Sequence, residues 1–406
     1  MESKEDLYKK LYSYCESLPG VINTHCHHIA NQDNEKTTSL HQILQMTYIS
    51  WMYPYFTDTR DQREIYIRTM ASNSYFRWMA KSVGALYGDG TPLNIGNWDQ
   101  IDESLKHAFK DKNHIMNILK NKCHYKAIIL DKYENPGYNL DHPEIMAPTF
   151  RCDQFLHGYS LEGHDDNMNF PYRTLNFERL PDTLEYYVLA VANKIREKNG
   201  NGCVSLKIAI AYERDLYFEN VDYQRASVAY KNPEATNADI KAFQDYMMFR
   251  LCEIANQNDI PVQIHTGLGK LDRSNAIGLK TLIDCNMDTK FVLFHCGYPW
   301  MDDILGLMHN YRNVYPDLCW LPLISTSAAI RFLREALEVG DSNRLCWGCD
   351  TWTAQESYGA LLAIRHVLST VLSEMCFEEA ISYNQAEHII SSILYENAKK
   401  LYKIKM

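Results

Sequence analysis

Short apolar runs recur along the chain with stretches of helical period between them, and this alternation constrains the fold more than any other feature. The runs fall at residues 20–25, 125–130, 146–152, 203–210, 261–265, 290–295, 313–318 and 344–348. Runs this short and this continuously apolar suit strands covered on both faces, as in a parallel sheet. Helical patterns such as 181–198, 237–256 and 327–339 separate them, which is the signature of repeated βα units. Eight such strands, with no glycine-rich phosphate loop after the first, predict a closed (β/α)8 TIM barrel of the α/β class rather than an open doubly wound sheet. A chain of 406 residues accommodates one such barrel with additions.

The additions are legible as well. Residues 1–19 read as an N-terminal helix, and the barrel takes residues 20–30 and 122–376. Residues 31–121 are far too long for one βα connection. They are rich in aromatic side chains (Trp51, Tyr53, Tyr55, Phe56, Tyr75, Phe76, Trp78) and are predicted to form a mainly helical insertion after strand 1. Residues 377–406 read as C-terminal helices packed on the barrel.

Charge and composition remove several function classes. The net charge is −10 and no Lys/Arg stripe is present, so nucleic acid is not an expected partner. Met1–Leu11 has no apolar core of the signal-peptide kind, and no run reaches about 18 uninterrupted apolar residues; neither export nor a membrane span is expected. Twelve cysteines diluted over the chain, several inside apolar runs, fit reduced, buried thiols in a cytoplasmic protein. Cys346 and Cys349 lie on one candidate strand, where residues three apart face opposite ways, which argues against a redox or zinc pair. The expected partner is a small-molecule substrate, and the chain is expected to form a homo-oligomer.

The ends of the strands carry the chemistry. In Gly20-Val-Ile-Asn-Thr-His25-Cys-His27, the strand period of two puts His25 and His27 on one face at the C-terminal end, where two imidazoles can chelate one divalent ion. The fifth run ends in His265, the sixth in His295, and the eighth is followed by Asp350. Polar groups at the tips of apolar strands are costly unless they are paired or metal-bound, and four strands ending this way in register point to a metal site. Lys207 lies inside the fourth run, where an ammonium needs a partner. Arg151 near the end of strand 3, and Tyr212 and Arg214 just past strand 4, are candidate substrate contacts; a guanidinium grips a carboxylate through two bonds, so an anionic or polyhydroxy acid substrate is expected. Trp300 and Trp320 follow strands 6 and 7 and are candidate pocket walls. No Gly-x-Ser-x-Gly elbow supports serine hydrolysis.

This pattern, from about Gly20 to Asp350, resembles the amidohydrolase superfamily. The runs Pro261-Val-Gln-Ile-His-Thr-Gly-Leu-Gly and Phe294-His-Cys-Gly-Tyr-Pro-Trp are similar to its amidohydrolase-related branch of metal-dependent hydrolases. The long insertion and Pro148-Thr-Phe-Arg-Cys-Asp153 also resemble uronate isomerases. The resemblance implies that His25, His27, His265 and Asp350 bind one divalent ion, and that Asp350 also accepts the proton of the attacking water. Zinc is the expected metal, with manganese, iron or cobalt as alternatives. His295 is implied as a catalytic group that orients the nucleophile or stabilises oxyanion charge. It also implies a possible second ion, bridged by a carboxylated Lys207. Asn23 stands where relatives often have Asp, which removes a carboxylate behind the ligands.

The expected activity is metal-dependent hydrolysis of an amide, lactone or related C–N or C–O bond in a small anionic substrate. The alternatives are a uronate-isomerase-like or decarboxylase-like enzyme on the same barrel, and a non-catalytic metabolite-binding barrel. Cys349-Asp350-Thr-Trp lacks the Ser-Arg that follows the aspartate in typical uronate isomerases, which favours hydrolysis.

Overall fold

A computed structural model describes residues 2–28, 38–53 and 55–405. Among these residues seven strands form: β1 (Val21–Cys26), β2 (Tyr125–Leu130), β3 (Met146–Arg151), β4 (Ser205–Ile208), β5 (Val262–Ile264), β6 (Phe291–Leu293) and β7 (Val314–Pro316). They are hydrogen-bonded in chain order, β1 to β7. From β3 onward the strands pair in parallel, with Phe150 beside Leu206, Leu206 beside Val262, and Val262 beside Phe291. Their residues are almost all buried, which explains why the runs read as continuously apolar. Two of the polar side chains, paired between β3 and β4, satisfy each other: Ser205 Oγ donates to Thr149 Oγ1 at 2.8 Å, and Thr149 Oγ1 donates to the Ser205 carbonyl at 3.1 Å.

The expected eighth strand, 344–348, does not form among the described residues. Its only strand-like pairing with β7's neighbourhood is an isolated bridge between Asp317 and Cys346. Residues 347–351 still run beside β1: Thr24 N–H donates to Trp347 O (3.2 Å), Asp350 N–H to His25 O (2.9 Å) and His27 N–H to Thr351 O (2.9 Å). The ladder breaks because the Asn23 side-chain oxygen takes the Cys349 N–H at 2.9 Å and the His25 N–H at 3.2 Å. A side-chain acceptor has replaced backbone acceptors there.

Two compact units emerge. The first contains Met1–Ile128, Leu318–Glu335 and Trp347–Glu396; the second contains Ile129–Asp317, Ala336–Cys346 and Asn397–Met406. In the first, the helix Ala354–Phe377 is opened by a capping box in which Thr353 and Glu356 satisfy each other's N–H groups. Its Leu361, Ile364, Val367, Leu368, Val371 and Leu372 are fully buried, each worth roughly 1.5–3 kcal/mol of apolar transfer. The helices Lys4–Ser17 and Ser74–Tyr87 pack against it. By length and composition alone this helix could cross a membrane; 67% of its most apolar window is buried inside the protein, as for a core helix.

Between β1 and β2 lie the helices Leu40–Gln45, Ile49–Met52, Arg60–Met70, Ser74–Tyr87, Trp98–Ala108 and His114–Asn117, in the segment expected as an insertion. Its first residues, 31–37, and residues 29–30 fall outside the described residues. Its aromatic side chains pack on one another: Phe56 stacks on Tyr66 at 4.5 Å, and Tyr66 meets Phe76 edge-on at 5.3 Å. The second unit holds β3–β7 and the long helix Asn237–Gln257, itself started by a Thr236–Asp239 capping box.

Candidate active site

Within the first unit, β1 and the segment after Gly348 bring His25, His27 and Asp350 together. All three are buried, at 1%, 8% and 5% exposure. His27 Nε2 lies 3.1 Å and His25 Nε2 3.8 Å from Asp350 Oδ1, and one ligand atom from each residue lies within 4.8 Å of the others. Two imidazole nitrogens and a carboxylate oxygen converging in a buried place form a donor set that suits a first-row divalent cation. Gly348 is required for this approach: a Cβ there would stand 2.7 Å from the His25 nitrogen and from Thr24 Oγ1. Asp350 adopts a left-handed backbone (φ 51°), which turns the chain sharply at the strand end.

The support behind these residues is polar and buried. Asn23 Nδ2 donates to Cys349 Sγ at 2.8 Å, and the same sulfur contacts Thr351 Oγ1 at 3.0 Å and Ser357 Oγ at 3.3 Å. Burial pushes the Cys349 thiol up to about 11, so it stays a neutral packing group. The Trp352 ring lies 5.4 Å from that of His27. Tyr48 packs on Trp320 at 4.7 Å, and the exposed Trp51 packs on Tyr48 at 4.6 Å. Trp320, a predicted pocket wall, is thus part of an aromatic cluster.

Sequence reasoning missed Glu356. Its Oε2 accepts from the Trp352 and Thr353 N–H groups (3.1 and 2.9 Å), and Oε1 accepts from the Tyr75 hydroxyl at 2.6 Å. It thereby ties down the turn that follows Asp350. The Thr353-Ala-Gln-Glu356 capping-box spacing was the available signal. Burial outweighs these donors and raises the Glu356 carboxyl from 4.5 to about 7. A carboxyl whose folded value lies above its unfolded one stabilises the fold most below the unfolded value, and that contribution is lost as pH rises through the folded value. The window here runs from about pH 4.5 to 7, and the 2.5-unit span corresponds to about 3 kcal/mol. Comparative denaturation should therefore find Glu356→Gln gaining on the wild type between pH 5 and 8. A gap that stays constant with pH would remove this role.

Within the second unit, β5 and β6 bring His265 and His295 together. His265 Nε2 lies 2.8 Å from the Leu268 carbonyl, which can only accept, so Nε2 carries the proton and Nδ1 keeps its lone pair. That Nδ1 is approached by His295 Nε2 at 3.0 Å and by the Tyr212 hydroxyl at 3.4 Å. His295, Cys296 and Gly297 are successively left-handed (φ 61°, 46° and 67°), and for the two non-glycines this costs about 1–2 kcal/mol each. The loops after β5 and β6 touch closely at Gly267 (φ 87°), where a Cβ would stand 2.1 Å from the Tyr298 carbonyl oxygen.

The cationic candidates are already engaged. Arg151 is buried; its Nη2 meets Asp131 Oδ2 at 2.7 Å and its Nη1 lies 3.8 Å from Asp153. Arg214 Nη2 meets the buried Asp245 at 2.8 Å. The buried Lys207 ammonium lies 4.0 Å over the Phe294 ring. Trp300 stands at the start of the helix Met301–Asn310, with its N–H on the Gly297 carbonyl at 2.8 Å.

Residues 224–404 match the amidohydrolase family. Protein fluG of Emericella nidulans is 34% identical over 154 residues, a match that covers 36% of this chain and spans only 18% of that protein. Among solved structures, glucuronate isomerase from Caulobacter crescentus superposes with a TM-score of 0.78 at 15% identity, over 99% of this chain and 95% of its own. Uronate isomerase from Thermotoga maritima gives 0.74 at 16% identity, over 98% and 97%. A Lactobacillus casei protein assigned as a metal-dependent hydrolase gives 0.68 at 18% identity, over 97% of both chains. At these identities the structural likeness is one of fold. The likeness to the amidohydrolase family thus extends over residues 224–404, a little under half of the chain, and the fold is one shared with uronate isomerases.

Proposed function

We propose that the protein is a metal-dependent hydrolase that opens an amide, lactone or related C–N or C–O bond of a small substrate. The observation that carries this reading is the buried convergence of His25, His27 and Asp350. Their imidazole nitrogens and carboxylate oxygen would hold a divalent ion, zinc first and manganese, iron or cobalt as alternatives. Such an ion, when bound, polarises a carbonyl and acidifies water.

The protein's own groups divide the remaining work. His25 on β1 and His27 just past its end hold their positions through backbone bonds to residues 350 and 351. Asp350 presents a second carboxylate oxygen that can accept the proton of the attacking water. His265 has the tautomer a ligand needs, with Nε2–H on a carbonyl and the Nδ1 lone pair facing His295 Nε2. His295 is the group proposed to orient the nucleophile and to meet developing oxyanion charge. Arg151 and Arg214 each already have a carboxylate, so a substrate anion at either would have to compete with Asp131 or Asp245. Lys207 rests on the Phe294 face, which supports a one-ion site.

Two measurements test the proposal. Purified protein should contain about one divalent ion per chain by elemental analysis. With any substrate turned over, reaction in ¹⁸O-water should place the label in the product. Solvent deuterium on product carbon without ¹⁸O would replace hydrolysis by isomerisation. An ion content below about 0.2 equivalents that zinc or manganese cannot restore would remove the metal reading altogether.

A further inference from the structure

The chain has ten more acidic than basic side chains, yet one cleft in the second unit is lined by four cations. It has a volume of about 490 Å³ and is lined by Lys290, Arg312, Arg344 and Lys400, with Tyr315 in its wall. Lys290 precedes β6, and Arg312 lies two residues before β7. The cleft therefore sits at the N-terminal ends of the strands, whereas His265 and His295 follow the C-terminal ends of β5 and β6. A ligand here is not the substrate of the histidine cluster.

Arg344 gives the cleft a built anchor. Its Nη1 donates to three carbonyls, Met308 (3.0 Å), Tyr311 (2.8 Å) and Val314 (3.1 Å). Two of these belong to the end of the helix Met301–Asn310 and its cap, so a cation there also complements the helix dipole. That role uses Nη1 alone. Nε and Nη2 have no protein partner among the described residues, and these two atoms form the edge that grips an oxyanion through parallel bonds. Three carbonyls thus fix a guanidinium in place with that edge open.

Two of the neighbours, Arg312 and Lys400, add charge that no hydrogen bond or ion pair takes up among the described residues. Lys290 is held by Asp259 at 2.6 Å. The cleft's one carboxylate, Asp341, already accepts from the Asn343 backbone and side chain at 2.9 and 2.8 Å. Asn397 Nδ2 donates to the Ser342 and Leu345 carbonyls, both at 2.7 Å, and so holds the arch that carries Arg344. Like charges gathered this way repel one another unless an anion joins them.

We infer that this cleft is a binding site for a phosphate-bearing small metabolite, with the phosphate on the Arg344 fork and Arg312 and Lys400 closing over it. The volume exceeds what an inorganic ion fills and lies in the range of small-molecule pockets. The site occupies the end of the sheet away from the histidines, so its occupant acts as an effector or a stabilising ligand.

Calorimetric titration of the full chain with inorganic phosphate and with phenyl phosphate, at constant ionic strength, tests this. One saturable site per chain is expected, with phenyl phosphate binding at least as tightly as phosphate. Arg312→Gln/Lys400→Gln removes two exposed charges and should weaken both ligands at least ten-fold, about the loss of one charge-assisted contact. Arg344→Lys should do the same while keeping the charge, because it loses the fork. His27→Ala should bind phosphate as the wild type does. Absence of saturable binding, an unchanged affinity in the double variant, or binding lost in His27→Ala would each overturn the assignment.

Discussion

Asp350→Asn should lower kcat by about 10²–10⁴-fold, the usual loss when a general base is removed, while most of the bound ion is retained. The substitution is unusually clean here. Asp350 holds a left-handed backbone (φ 51°), and Asn is among the residues that accept this conformation most readily, so the turn after Gly348 should persist. The amide oxygen can still face His25 and His27, whose Nε2 atoms lie 3.8 and 3.1 Å from Oδ1 in the wild type. What the amide cannot do is take up a proton. The measurement is kcat with a turned-over substrate, set beside metal content on the same preparation. A variant that keeps more than about a tenth of the wild-type kcat with its ion in place is incompatible with Asp350 as the base, and His295 would then take that role.

The second large effect is on the ion itself. His27→Ala should reduce metal content from about one equivalent to less than about 0.2 after desalting. His27 supplies the imidazole nitrogen nearest to Asp350 Oδ1, and its loss leaves one imidazole and one carboxylate from this trio. The control is Cys26→Ala. Cys26 is the adjacent residue on β1, fully buried, and strand alternation turns it to the opposite face. It should keep the ion, so a parallel loss in both variants would indicate a damaged strand rather than a missing ligand.

Much of this arrangement can be read from the chain, and the parts that cannot share a cause. The run 125–130 forms a strand with those bounds, and His25 on β1 and His27 just past its end both approach Asp350, because local apolar pattern and the period of two decide both. The eighth strand fails because of Asn23, which lies more than 300 residues from the Cys349 N–H that it captures. Arg151 and Arg214 look like substrate grips in isolation; their partners, Asp131 and Asp245, stand 20 and 31 positions away and carry no pairing signal. The left-handed turns at His295, Trp320 and Asp350 are equally silent, since none is glycine or asparagine, the residues from which such a conformation is inferred. Each miss is a tertiary contact overriding a local preference.

The close approach at Gly267 sets a boundary on how this protein can diversify. Any side chain there would drive into the Tyr298 carbonyl and displace the loop that begins with His295. Two loops that might otherwise drift independently are thus inherited as one piece. Mutational paths to new substrates are closed at this point, and selection would have to work through longer segments such as the helices between β1 and β2. Sequence libraries aimed at altered specificity should accordingly hold residues 265–267 and 295–299 fixed.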